Sequence, residues 1–186
     1  SAFLVAIATP QGLRDVTEYT GQFDFIAGPN PVEDTCRAIG IPSTGYFPEI
    51  RREVLPVVSY FPWLLVASGC PFECNYCTWS GKQMKWRSPE NTVKSLVTIM
   101  PGFKEGESAG AYIVCSEMNA NRRWMREFAE LKSESSVATA ELVTDVRADH
   151  CSEEVISYLK KMRVTEVVAS LESADQSILD AIGRNM

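Results

Sequence analysis

Histidine is almost missing: the 186 residues hold one, His150. Any hydrolase triad would depend on it, and neither a Ser-His-Asp arrangement nor a phosphate-cradling glycine loop is apparent. Standing alone, His150 reads as a surface or capping residue rather than a ligand. Basic runs are missing too. Lys and Arg number 18 against 24 Asp and Glu, for a net charge of −6, so the electrostatic footprint of nucleic-acid binding is absent and that partner is not expected. No apolar stretch approaches the roughly eighteen residues of a membrane span, and no charged-then-apolar leader with a cleavage site is present. The six cysteines form no disulfide framework. Three crowd together and the rest scatter, which suits a reducing cytoplasm.

What is there is material for a core. Hydrophobic residues make up 45% and charged residues 23%, the balance of a soluble globular chain. The length suits one domain, or one and a half. The chain opens at Ser1 and stops just after a helix-like segment, as a fragment would.

Half of the cysteines fall in one stretch, Cys70-Pro-Phe-Glu-Cys74-Asn-Tyr-Cys77. It follows an apolar run, Trp63-Leu64-Leu65-Val66-Ala67, across a Ser68-Gly69 joint. A strand feeding a glycine-containing loop with three thiols suggests a metal site at the end of a strand. Spaced C-x3-C-x2-C, the thiolates can each hold one iron of a four-iron cluster, which usually takes four cysteine ligands. A three-ligand loop leaves one iron open, and an open metal position marks a catalytic site rather than a structural one. The competing reading is half of a zinc site, but zinc sites usually pair two C-x2-C elements and no second one is present.

The cysteine spacing, Tyr76 just before the last cysteine and the strand in front resemble the radical S-adenosylmethionine (SAM) superfamily. The resemblance implies Cys70, Cys74 and Cys77 as ligands of a 4Fe-4S cluster and Tyr76 near the adenine of SAM. It implies an enzyme that reductively cleaves SAM to a 5′-deoxyadenosyl radical for hydrogen abstraction. Its partners would be a small-molecule substrate and a reducing protein such as flavodoxin or ferredoxin.

Along the chain, Phe3–Ala8 and Phe23–Ala27 read as short buried strands, and residues 12–19 as one or two helical turns. Gly28-Pro29-Asn30-Pro31 is a turn cluster. A helix is expected from Pro31 through Cys36 to Ile39, with acidic residues in its first turn and Gly40 as its stop. Residues 41–60, with Pro42, Gly45, Pro48 and Pro56, read as a linker. This order resembles radical SAM proteins in which a Rossmann-like cobalamin-binding domain precedes the barrel. Residues 1–40 would be the tail of that domain, although its Gly-Glu-x-Glu signature is degraded here to Gly28-Pro29-Asn30-Pro31-Val32-Glu33. The cobalamin-ligating aspartate–histidine–glycine motif is not in this sequence.

From residue 61 the pattern is regular. Strands are expected at 62–67, 111–115, 138–146 and 165–171, and Trp79–Gln83 reads as loop. Ser88 with Pro89, Asn119 or Asn121, and Ser152 are the expected helix caps, and a last helix is expected over 175–182. Pro101-Gly102 should end the first helix, and 106–110 should turn. Strand–helix–strand repeats describe βαβ units and a parallel sheet. The fold class expected is α/β: a partial TIM-like barrel, about four of the six units of a radical SAM domain.

Chemistry in such barrels sits at the C-terminal ends of the strands. There the resemblance implies SAM contacts from Glu117 after the second strand, Arg147 after the third, and Glu172 with Ser173 after the fourth. Arg147 would pair with the SAM carboxylate, and Glu172 would accept from ribose hydroxyls. Glu117 stands where the family often has Gly-Gly-Glu, without the glycines. Cys36, Cys115 and Cys151 read as structural. Two other functions stay open: a radical SAM enzyme without cobalamin, of the methylthiotransferase or coproporphyrinogen-oxidase kind, and a non-catalytic iron–sulfur or zinc module.

Overall fold

The structure is a computed structural model. It describes residues 61–77, 79–100, 110–184 and 186, and before them the backbone of 5–7 and 25–27 together with Arg37. The chain divides into two compact units, Ser1–Glu49 and Ile50–Met186. In the first, β1 (Val5–Ile7) and β2 (Phe25–Ala27) pair in parallel, Val5 opposite Phe25 and Ile7 opposite Ala27. The first lies inside the expected strand Phe3–Ala8, and the second is the end of the expected strand Phe23–Ala27. The expected turns over 12–19, the linker over 41–60 and the segment 101–109 lie outside the described residues, as does the helix after Pro31 apart from the helical Arg37.

The second unit is built on a parallel sheet of β3 (Trp63–Leu65), β6 (Gly110–Val114), β7 (Glu141–Asp145) and β8 (Val164–Val168), in that spatial order. Three helices follow its strands: α1 (Pro89–Ile99), α2 (Arg122–Ser133) and α3 (Glu153–Lys161). Each starts where its capping chemistry says it should. Ser88, Asn121 and Ser152 accept from the amides of Asn91, Trp124 and Val155, satisfying donors that the first helical turn leaves without partners. Asn121, not Asn119, is the cap of α2. A short last helix, α4 (Gln176–Ala181), is capped by Asp175.

Alternation along the strands splits the sheet into two faces. Leu64, Ala111, Ile113 and Leu142 are almost fully buried under the helices, whose own core residues include Leu96, Trp124, Phe128, Val155 and Leu159. Trp124 donates its indole N–H to the Arg87 carbonyl at 2.6 Å and stacks on Phe128 at 4.8 Å. The other face carries Trp63, Leu65, Tyr112, Val114 and Val143, brought side by side by the register. β8 is exposed over most of its length.

One expectation needs correcting. Lys82–Gln83 begins a strand, β5 (Lys82–Trp86), where a loop was expected. It pairs antiparallel with β4 (Ala67–Cys70), which leaves the parallel sheet just after the Val66 amide bonds to the Val114 carbonyl. The cysteine loop is therefore the tip of a hairpin that peels off the C-terminal end of β3. The ladder slips between Ser68 and Cys70. Gly69 sits at that slip with φ +91°, and a Cβ there would come within 2.5 Å of the Gln83 carbonyl oxygen, so the bulge requires glycine.

Among the described residues, no helix is long and apolar enough to cross a membrane.

Candidate active site

A cavity of about 310 Å³ opens at the C-terminal ends of the parallel strands. Cys70, Cys74 and Cys77 all line it, and they are free thiols. Cys70 is the last residue of β4. Cys74 and Cys77 are set by a tight turn in which the Cys77 amide donates to the Cys74 carbonyl at 3.1 Å. Cys74 is buried and the other two are half-buried. Burial pushes the Cys70 thiol up. The Phe72 amide that donates to it works the other way, and Glu117 and the two other thiols add to the rise.

Among the described residues, no three His, Cys, Asp or Glu side chains converge closely enough to hold a single metal ion.

Glu117 lies after β6 and lines the same cavity. It is 8% exposed, and its Oε1 is buried without a hydrogen-bond partner. Desolvation pushes its carboxyl up to about 7, against the pull of Arg147 and Arg184. A buried acceptor without a donor costs about 1–3 kcal/mol, so Glu117 stands ready for a ligand that brings a donor or a positive charge.

Arg147 follows β7 and also lines the cavity. Asn119 holds its backbone from both sides: the Asn119 side-chain amide donates to the Arg147 carbonyl at 2.8 Å, and the Arg147 amide donates to Asn119 Oδ1 at 3.0 Å. This pair continues the β6–β7 pairing beyond the strands. The guanidinium donates through Nε to Asp149 at 2.8 Å and lies 4.0 Å from the centre of the Phe72 ring. Phe72 sits between the first two cysteines, so this cation–π contact braces the cysteine loop.

Tyr76 lines the cavity and its hydroxyl accepts from Arg184 Nη1 at 3.2 Å. Burial raises the Tyr76 pKa; its bond to Arg184 lowers it and its bond to Glu172 raises it. Glu172 does not line the cavity but reaches its rim, with Oε1 3.7 Å from Arg184 Nη1. Its backbone is unusual: φ is +63°, and the Ser173 amide donates to the Leu171 carbonyl at 2.8 Å, closing a γ-turn around it. That conformation is strained for a residue with a Cβ. Ser173 is apart from the cavity, its hydroxyl accepting from the Asp175 amide ahead of α4.

Four participants were missed from sequence. Arg184 is nearly buried, lines the cavity, and bonds to Tyr76 and to the Ser170 carbonyl as well as facing Glu172. Its only signal was a position just past a helix-ending glycine. Asn119 was read as a cap rather than as the clamp of Arg147. Phe72, within the cysteine motif, carried no signal of its contact with Arg147. Asp145 lines the cavity and accepts from the Tyr112 hydroxyl at 2.9 Å, and it gave no signal beyond lying at a strand end. Cys115 is buried beside Thr144, its thiol raised by burial to about 12, as a core thiol would be. Cys151 lies within 3.5 Å of the Asn119 amide, and Cys36 lies outside the described residues.

No protein-family model matches the sequence, and no curated protein matches it. Solved structures of similar fold do exist. The radical S-adenosylmethionine methyltransferase TsrM from Kitasatospora setae, with cobalamin and a 4Fe-4S cluster bound, aligns with TM-score 0.52 at 16% identity over 64% of this chain and 24% of that one. The same enzyme with tryptophan substrate and a SAM analogue, aza-SAM, aligns with TM-score 0.52 at 15% identity over 64% and 23%. At these identities the likeness is one of fold, and the chain spans less than a quarter of TsrM.

Proposed function

We propose that this chain carries the cluster-bearing part of a radical SAM active site, on the first four units of a partial barrel. The observation that carries the reading is the meeting, in one cavity at the C-terminal strand ends, of a C-x3-C-x2-C loop and a buried carboxylate without a partner. A 4Fe-4S cluster with SAM on its open iron would supply reductive cleavage of SAM to a radical able to abstract hydrogen. The chain's own residues do the holding. Cys70, Cys74 and Cys77 would hold the cluster. Glu117 would accept from the ammonium group of SAM, and that positive charge would draw its carboxyl back down from about 7. Tyr76 would present its ring at the cavity mouth. Arg147 is engaged by Asp149 and Phe72, so its first task is to brace the loop. Glu172 is turned to Arg184, which supports a role in organising Tyr76 over one in holding a ribose.

The finer reading is a cobalamin-associated enzyme acting in methylation or rearrangement. It is supported by the parallel β1–β2 pair and by a fold neighbour that binds cobalamin.

Anaerobic iron–sulfur reconstitution followed by electron paramagnetic resonance of the reduced protein tests the reading. A four-iron signal that shifts on adding SAM and disappears in Cys74→Ala is expected. Stoichiometric zinc without iron, or a stable cluster indifferent to SAM, would overturn it.

A further inference from the structure

The cysteine loop is gripped from far along the chain. The residues between its thiols are Pro71, Phe72 and Glu73, then Asn75 and Tyr76. Three of these meet the segment that ends α4. The Asn75 amide donates to the Ile182 carbonyl at 3.0 Å, and its side-chain amide donates to the Ala181 carbonyl at 2.8 Å. Those carbonyls belong to the last turn of the helix, which has no intrahelical donors for them. Tyr76 accepts from Arg184 at 3.2 Å. Gly183 lies against the loop at Glu73. A Cβ there would sit 3.0 Å from the Glu73 carbonyl oxygen and 3.5 Å from the Asn75 nitrogen, and its φ of +69° is one that glycine adopts without strain. Arg184 in turn is anchored on the far side by the Ser170 carbonyl and Glu172.

We infer that residues 181–184 form a latch on the cysteine loop, with Asn75, Gly183 and Arg184 as positioning residues that set how the three thiols are presented. The physical case is one of economy. The bonds within the loop are local, among them the Cys77 amide to the Cys74 carbonyl, the Ser80 amide to the Cys77 carbonyl, and the Gly81 amide and the Ser80 hydroxyl to the Phe72 carbonyl. The first of these closes a turn around Asn75 and Tyr76, but none of them ties that turn to the rest of the fold. The latch does so through partners 106 and 108 residues away. The thiol-bearing backbone is then ordered once β8 and α4 have folded into place. The inference goes beyond the proposed function and rests on it only for the use to which the ordered thiols are put.

Hydrogen exchange read by mass spectrometry on the whole 186-residue chain, without metal, tests it. Variants Asn75→Ala, Asn75→Asp, Gly183→Ala and Arg184→Met are compared with Gln176→Ala. Gln176 bonds to Asp180 within α4 and to the Met186 carbonyl, and among the described residues neither bond reaches the loop. Exchange over residues 71–81 is expected to rise about fivefold to tenfold in the latch variants, the scale of one lost hydrogen bond. Exchange in α2 and in Gln176→Ala should stay as in the parent. Unchanged exchange in the loop would overturn the latch. So would equal acceleration in α2, which would mean that the variants lower global stability instead. Asn75→Asp keeps the size of the side chain and removes its donor, so the test survives if Gly183→Ala fails to fold. Iron loading after anaerobic reconstitution is read separately. A chain that shows the local acceleration but takes up no iron keeps the latch and loses the cluster reading. A chain that takes up iron but shows no acceleration does the reverse.

Discussion

The two faces of the parallel sheet are made by the same strands and behave as different materials. On the helix side, Leu64 is 2% exposed and Ile113 is fully buried; on the other, Trp63 is 73% and Leu65 44% exposed. The helix side is close-packed and polar groups enter it only with partners, as Trp124 does through its indole N–H. The open side carries a short polar chain, with Trp63 stacked on Tyr112 at 5.2 Å and Tyr112 bonded to Asp145, leading up to the cavity. One face supplies stability. The other contributes Leu65 and Val114 to the lining of the cavity.

The sharpest way to break this contrast is to truncate a ring on each face. Phe128→Ala on the helix side removes a fully buried ring and should cost about 3–5 kcal/mol, read as a fall in the denaturation midpoint. Trp63→Ala on the open side should cost within about 0.5 kcal/mol. A comparable loss from Trp63→Ala would mean that the open face is core after all.

A smaller effect is expected from Trp124→Phe, which keeps most of the ring and removes the indole donor to the Arg87 carbonyl. It should cost about 1–3 kcal/mol by denaturant unfolding. A neutral result would mean that water replaces the indole.

Lys132 sharpens the comparison by pH. It is fully buried in α2, donating to the carbonyls of Ala138 and Ala140, and burial pulls its ammonium down to about 8. Between about 8 and the ordinary lysine value of about 10.4 the unfolded chain holds more protons than the folded one, so folding stability should rise with pH across that window. As pH falls through 8 the gain is lost. Lys132→Met should flatten the slope, read as the denaturant midpoint at a series of pH values. An unchanged slope would assign it to another group.

A modest effect is expected from Tyr112→Phe. The lost bond to Asp145 is half-exposed, so about 0.5–1.5 kcal/mol is an upper range. Asp145 then faces the cavity without its donor. Any change in SAM or iron binding that outstrips the change in stability would place this pair in the functional cavity rather than in the scaffold.

Much of the scaffold was legible because its signals are local. Ser88 with Pro89, and Ser152 with Glu153 and Glu154 behind it, mark helix starts within four residues of sequence, and α1 and α3 begin there. The β-branched and apolar runs found all four parallel strands, although the first, third and fourth are shorter than read. β5 was not legible. Lys82-Gln83-Met84-Lys85-Trp86 is mostly polar and buries little, and it is a strand because β4 lies beside it. Of the site, the thiols, Tyr76, Glu117 and Arg147 share the cavity, whereas Ser173 lies apart and Glu172 reaches only its rim. Arg184 could not have been found, since its partners lie 14 and 108 residues away.

The sequence by itself determined the spacing of three thiols, the caps and the strand–helix rhythm, because each depends on neighbours along the chain. Only the tertiary structure decided that the thiols stand at the tip of a hairpin, that Glu117 Oε1 is buried without a hydrogen-bond partner, and that the end of α4 closes on the cysteine loop. Desolvation and long-range hydrogen bonds come into being when distant segments meet, and no local pattern encodes that meeting.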